Sequence, residues 1–188
     1  FERLTVPGPV RAGLGGLGVG ILALALPEVT GNGYEAINLI LGGQMAFGLM
    51  AVLVLGKALA TTASVSSGSP GGVFTPSLFL GAALGGLLGH GVSLVTPRHT
   101  LLAVGGYALV GMAAMTASAT QAPVMAAVMV FELSGDYAIV LPLLLATGTA
   151  TLVSRRIRRD SIYGEELRRR GTAWDITIDG RRMRPGTE

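Results

Sequence analysis

An all-α, polytopic membrane fold with broken and re-entrant helices is predicted by three features of this 188-residue sequence. Its positive charge collects at one end, four long stretches carry no charge, and a run of small and helix-breaking residues divides its most apolar part. Ten of the 14 Lys and Arg residues follow position 154: Arg155, Arg156, Arg158, Arg159, Arg168, Arg169, Arg170, Arg181, Arg182 and Arg184. The stretches 36–56, 58–97, 99–131 and 137–154 contain no Asp, Glu, Lys or Arg. A helix needs ~20 apolar residues to cross ~30 Å of hydrocarbon. Each stretch is long enough or nearly so, and the second and third can each hold more than one segment.

Composition points the same way. Only 13% of the residues are charged, about half the ordinary share of a soluble domain. The 29 glycines follow no Gly-X-Y period, which excludes collagen and suits close packing between membrane helices. An apolar soluble bundle is the alternative that composition leaves open, and the unbroken charge-free stretches argue against it. The basic excess behind a pI near 9.8 sits just after the last apolar stretch, where cytoplasmic residues are expected. No basic-aromatic interleaving supports a nucleic-acid partner. With no cysteine, disulfides, thiolate metal sites and cysteine nucleophiles are excluded. Phe1-Glu2-Arg3 is no signal peptide, and the chain is expected to be cut from something longer.

The elements are expected in this order. Ala12 to Leu26 forms a first helix, with Gly13, Gly15, Gly16, Gly18 and Gly20 as close-contact positions, closed by Pro27-Glu28. Gly31-Asn32-Gly33 is a turn, followed by a short segment over Tyr34–Leu41. After Gly42-Gly43 a longer helix runs from Gln44 to Ala63, and Lys57, its one charge, is expected to snorkel to the interface. Ser64 to Gly72 is expected to be non-helical backbone between two apolar helices. Such backbone is tolerated at membrane depth only when buried in protein or facing a water-filled cavity. Val73 to Gly91 is a Gly/Ala/Leu helix with close contacts at Gly81, Gly85, Gly86 and Gly89, and Thr96–His99 is a loop. Helices follow at Leu101–Ser118, Pro123–Leu133 and Ala138–Ser154, with Ser134-Gly135-Asp136 as a turn. Arg155–Asp160 is a basic connector, a short helix runs from Ser161 or Ile162 to Arg170, and Gly171 suits its C′ position. Ala173 to Gly180 alternates and is expected to start a strand. Residues 1–171 thus form the membrane part and 172–188 a cytoplasmic stub.

The chemistry concentrates in Gly68-Ser69-Pro70-Gly71-Gly72-Val73-Phe74-Thr75-Pro76. Gly71-Gly72 lets the backbone turn sharply and lets an ion approach it. Pro76 fits a first helical turn, where a missing N–H costs nothing. The N–H groups of Val73, Phe74 and Thr75 then point out of a helix start at membrane depth. With the positive end of the dipole they form an anion site. No cation is expected beside them: a close Lys or Arg would hold a dehydrated anion too tightly to release it, whereas partial charges replace hydration and still permit exit. A phosphate loop is disfavoured, because no Gly-Lys-Ser/Thr follows the glycines. A broken helix without a ligand remains the plainer alternative.

Ser67 to Pro76, followed by Leu78 and Gly81-Ala82, closely resembles the Gly-x-Phe-x-Pro filter signature of the CLC family of chloride channels and chloride/proton antiporters. Ala122-Pro123, then Phe131-Glu132-Leu133-Ser134-Gly135-Asp136-Tyr137, then Leu141-Pro142 are similar to that family too. Asp160-Ser161-Ile162-Tyr163 resembles the start of its final short helix. The resemblance runs from about Pro9 to Gly171. It implies a homodimer with one pore per subunit, and two inverted halves whose broken helices meet at the ion sites. This chain then corresponds to the second half. The first half's Gly-Ser-Gly-x-Pro serine and Gly-x-Glu-Gly-Pro gating glutamate have no match here. In many relatives the stub leads to cytoplasmic CBS domains, none of which lies within these residues.

The resemblance also implies that the Tyr163 hydroxyl reaches the central anion, that Gln121–Ser154 faces the twofold axis, and that chloride is the substrate. A bacterial cell membrane is the expected location. Glu132 follows a long apolar run and is either a structural carboxylate or part of a proton relay. His90 and His99 lack partners at metal-ligand spacing, and Met112, Met115, Met125 and Met129 lack a Cys or His companion, so packing or interfacial roles are expected. No resident cofactor, metal or catalytic group is expected, and an enzyme is disfavoured. The alternatives are a fluoride-selective CLC relative and a non-transporting membrane subunit, which would need neither the glycine turn nor Tyr163.

Overall fold

The computed structural model describes residues 7–68, 71–95, 103–158 and 160–168, and the backbone alone of 169, 172–177 and 180–185. Its helices are α1 (Gly8–Ala25), α2 (Tyr34–Leu41), α3 (Phe47–Ser66), α4 (Phe74–Val95), α5 (Val104–Thr120), α6 (Pro123–Ser134), α7 (Val140–Ile157) and α8 (Ile162–Arg169). Short 3₁₀ turns occupy Pro27–Val29 and Tyr137–Ile139. Among the described residues the β-structure is one hairpin, β1 (Thr172–Thr177) against β2 (Gly180–Pro185), with Trp174 opposite Met183. The alternation after Ala173 therefore does start a strand. The expected Thr96–His99 loop and Arg159, Gly171, Ile178 and Asp179 lie outside the described residues.

Among the described residues, four segments are long and apolar enough to cross a bilayer: Gly8–Ala25, Phe47–Ser66, Phe74–Val95 and the stretch Tyr137–Arg168 that contains α7. At 1.5 Å per residue, the eight residues of α2 and the twelve of α6 cannot span ~30 Å. They are partial helices, as a fold with broken elements requires. Large apolar side chains face outward, with Leu24 at 89% exposure, Leu94 at 82% and Leu55 at 68%. Exposure on this scale demands lipid or protein cover.

The centre is an antiparallel pair, α4 against α5, built on glycine. A Cβ on Gly81 would lie 2.5 Å from the Gly111 carbonyl oxygen, and one on Gly89 would lie 3.0 Å from Tyr107 Cβ. Gly86 faces the other way, onto Ile40 of α2 and Met50 of α3. All four expected close contacts of α4 are made. Without a hydrophobic drive between helices in lipid, this intimate van der Waals contact is the main source of cohesion.

In α1 only one of the five expected contacts forms. Gly15 is buried against Ser67, while among the described residues nothing lies within 4 Å of a Cβ on Gly13, Gly16, Gly18 or Gly20.

α5 and α7 run in the same direction, joined by polar contacts that advance along both. The Thr151 hydroxyl donates to the Ala117 carbonyl at 3.5 Å and Ser154 to that of Ser118 at 2.9 Å. Farther on, the Gln121 amide donates to Arg158 O at 3.1 Å and Arg155 to Gln121 O at 3.5 Å. α6 is the return between them, entered through Gln121 at φ 56° and left through Gly135 at φ 63°. His90 is half-buried within α4 and packs edge-on against Phe47, with ring centroids 6.4 Å apart.

The break between α3 and α4 is shorter than expected. Ser64, Val65 and Ser66 continue α3, which closes at Ser67. Hydroxyls explain this, since each can return its hydrogen bond to the preceding turn and remain satisfied at apolar depth. Thr62 donates to Ala58 O at 2.7 Å, Ser66 to Thr62 O at 2.6 Å and Ser67 to Ser64 O at 2.8 Å. Gly68, at φ 82°, takes the left-handed position that ends the helix.

Candidate anion site at the start of α4

α4 starts at Phe74, so Val73 precedes its first turn and Pro76 occupies the third helical position. The first N–H to find a carbonyl is that of Ser77, which donates to Val73 O at 3.1 Å. Among the described residues, the N–H groups of Val73, Phe74 and Thr75 have no protein acceptor. Pro76 has no N–H to satisfy, which leaves these three as the orphan donors of the helix. The Ser77 hydroxyl turns back to Phe74 O at 2.6 Å, and the Thr75 hydroxyl has no partner among the described residues.

Gly71, Gly72, Thr75 and Pro76 line one cavity of about 370 Å³. Its second wall is one face of α3, with Lys57, Ala60, Thr61 and Ser64 at helical spacing. Its third wall is the Val29–Asn32 turn. The first turn of α4, through Thr75 and Pro76, thus borders a half-open, partly polar space.

Gly72 is not in the left-handed region, so its conformation does not require glycine. Among the described residues a Cβ there would meet nothing within 4 Å. Glycine at 72 keeps the backbone accessible from the cavity, and the left-handed position in this loop belongs to Gly68. Ser69 and Pro70, expected to support the motif, lie outside the described residues.

The expected interfacial placement of Lys57 is corrected, and its burial puts a cation on the α3 wall of the cavity. Lys57 does not snorkel: it stands near the middle of α3 and is 3% exposed. Its ammonium donates to Val29 O and Gly31 O, both at 2.8 Å, and lies 5.2 Å from the centre of the Phe79 ring. Docking of the Val29–Gly31 turn on α3 supplies carbonyls that make burial tolerable. The available signal was position, because a mid-helix lysine cannot reach an interface as one near an end can. Arg11 of α1 donates to Ser67 O at 3.4 Å, where a cation complements the C-terminal end of α3.

The other predicted residues lie apart. Tyr163, second in α8 and 47% exposed, does not line the cavity. Glu132 is exposed near the end of α6 and does not line it either. Ser161 starts α8 by accepting from Gly164 N–H at 3.1 Å. Arg168 bridges Asp160 at 3.3 Å and Glu165 at 3.1 Å on the exposed side, contacts of small energetic weight. Among the described residues no three His, Cys, Asp or Glu side chains converge as a metal site.

The chain is similar to several known proteins. A ClcB-like protein of Ralstonia nicotianae is 43% identical over 169 residues, which are 90% of this chain and 39% of that protein. The voltage-gated ClC-type chloride channel ClcB of Escherichia coli is 41% identical over 165 residues, 87% of this chain and 39% of its own. The chain therefore spans about two fifths of the length of the curated relatives it matches. The crystal structure of a slow cyanobacterial Cl⁻/H⁺ antiporter superposes with a TM-score of 0.66 at 26% identity, covering 72% of this chain and 32% of that one. The sequence model of the family described as "Voltage gated chloride channel" matches residues 1–155. The chain is a membrane protein of the voltage-gated chloride channel family.

Proposed function

We propose that the protein carries chloride across a bacterial cell membrane, using the start of α4 as part of its anion path. The observation behind this reading is that the N–H groups of Val73, Phe74 and Thr75 have no acceptor among the described residues, at a helix start whose flanking Gly72 and Thr75 line the cavity. A chloride ion that enters must be offered replacements for its water. Converging backbone N–H groups do so with partial charges that hold the ion without trapping it. Tyr163 belongs to this reading through its Asp-Ser-Ile-Tyr context. Its phenolic O–H is a neutral donor that would serve the same path from α8. Glu132 is kept as a structural carboxylate or a proton relay. The reading needs no resident cofactor and no catalytic group, and it places the basic end of α7, from Arg155 to Arg158, on the cytoplasmic side.

The test is anion flux from liposomes containing the protein. Chloride efflux well above fluoride efflux is expected, and fluoride efflux far exceeding chloride would replace this reading with the fluoride-selective one. The proposal covers passive flow and exchange for protons alike. Proton movement driven by an imposed chloride gradient separates the two.

A second copy of the protein is the proposed cover for α6 and α7, whose outward face includes Val124, Val128, Leu141 and Leu145. Isologous packing suits such an apolar face. Val140 is half-buried whereas Leu141 is 67% exposed, so Leu141→Trp is the informative change. It should yield monomers in detergent. A dimer that persists in this variant would remove α6 and α7 from the interface.

A further inference from the structure

Lys57 brings an ammonium to the wall of this cavity, and among the described residues no carboxylate pairs with it. Two of its three ammonium protons go to Val29 O and Gly31 O. Among the described residues the third has no acceptor. The ion pairs found among those residues belong to Arg168, and no Asp or Glu lines the cavity. Glu28 and Glu35 are near in sequence, but they line a separate pocket that borders the same turn. The Phe79 ring favours the ammonium without neutralising it. A buried cation served only by neutral groups is unfavourable and draws a counter-ion.

Position decides what that counter-ion does. Lys57 and Ser64 stand on the same cavity wall, two helical turns apart, a rise of about 10 Å. Ser64 lies towards the end of α3 that leads into the α4 start. The ammonium lies against Phe79, the sixth residue of α4, and so is set back from the Val73–Thr75 donors at the start of that helix. It can hold a separate ion or raise the local anion concentration.

We infer that Lys57 forms a second anion position in the cavity, spaced along α3 from the start of α4 and suited to a small monovalent anion such as halide or nitrate. The inference rests on reading the α4 start as an anion site. It also makes the fixed charge compatible with release, because the charge and the α4 donors act on different positions. An ion arriving beside Lys57 is concentrated there and then passes to the neutral donors.

The test must separate the charge from the tether, since Lys57 also holds the Val29–Gly31 turn. Lys57→Gln keeps a donor for the carbonyls and removes the charge, whereas Lys57→Arg keeps both. In liposomes containing the protein, the Gln variant should raise the half-saturating chloride concentration about tenfold at low ionic strength. Its maximal rate should be largely retained, and the difference should shrink as an impermeant salt screens the charge. Arg should behave as wild type. An unchanged half-saturation in the Gln variant would overturn the inference, as would a change insensitive to salt. Wild-type crystals grown in bromide give an independent reading that needs no variant to fold. A peak within hydrogen-bonding reach of Lys57 Nζ, separate from one at the α4 start, is the expected result. A peak at α4 alone overturns this inference and leaves the proposed function standing, whereas no peak at α4 removes the proposed function itself.

Discussion

Gly85→Leu is expected to abolish the folded protein, not merely to slow transport. A Cβ at this position would fall onto the Tyr107 carbonyl oxygen, with Ala108 Cα at 2.9 Å and Tyr107 C at 3.0 Å. These are backbone atoms of α5 and cannot step aside as a flexible side chain can. The contact is mutual, since a Cβ on Gly111 would meet the Gly81 carbonyl and lie 2.8 Å from Gly85 Cα. Relief requires parting α4 from α5 along their whole crossing. Overpacking costs ~1–3 kcal/mol where side chains can give way and more where they cannot. A net stability of roughly 5–15 kcal/mol does not absorb a leucine forced between two backbones. Gel filtration in detergent should show aggregate in place of a monodisperse peak. Gly16→Ala is the matched control, because nothing lies within 4 Å of a Cβ there. A Gly85→Leu protein that elutes and melts as wild type would show that α4 and α5 are not packed as described.

Gly72→Val should have the opposite profile, with folding kept and anion binding lost. Its backbone is not left-handed and a Cβ there meets no atom of the described residues within 4 Å, so the substitution adds little strain. The new side chain instead enters the space in front of the Val73–Thr75 donors. Chloride affinity measured by calorimetry should fall by about tenfold or more, equivalent to ~1.4 kcal/mol. Gly72→Ala should give a smaller loss. An unchanged affinity in the valine variant would place the anion elsewhere.

Most of what the site requires is visible in the residue order. Gly68 through Pro76 combines breakers with a proline suited to a first turn, and the start of α4 lies where those residues imply. Glycines at 81, 85, 86 and 89 meet neighbours because that spacing puts them on adjoining faces of α4. The glycines of α1 have the same composition but, apart from Gly15, no neighbour among the described residues. Whether a small-residue face is used depends on what docks there, which local pattern does not encode. The same limit hid Lys57. Snorkelling presumes a lipid-facing lysine near a helix end, whereas its burial depends on a turn 26 to 28 residues earlier in the chain. Ser64–Ser66 resemble a loop by composition, yet hydroxyl back-bonding lets such residues extend a helix. Tyr163 is assigned to the anion path only by the resemblance of its motif, and α8 leaves its ring half-exposed and outside the cavity lining.

Bromide placement tests the central claim most directly. Bromide substitutes for chloride in size and charge, and its anomalous scattering locates it without reference to a proposed mechanism. Crystals of the protein grown in bromide should show an anomalous peak in the cavity lined by Gly72 and Thr75, within hydrogen-bonding reach of the Val73, Phe74 and Thr75 nitrogens. Bromide found only at surface arginines, with the start of α4 holding none, would contradict the account.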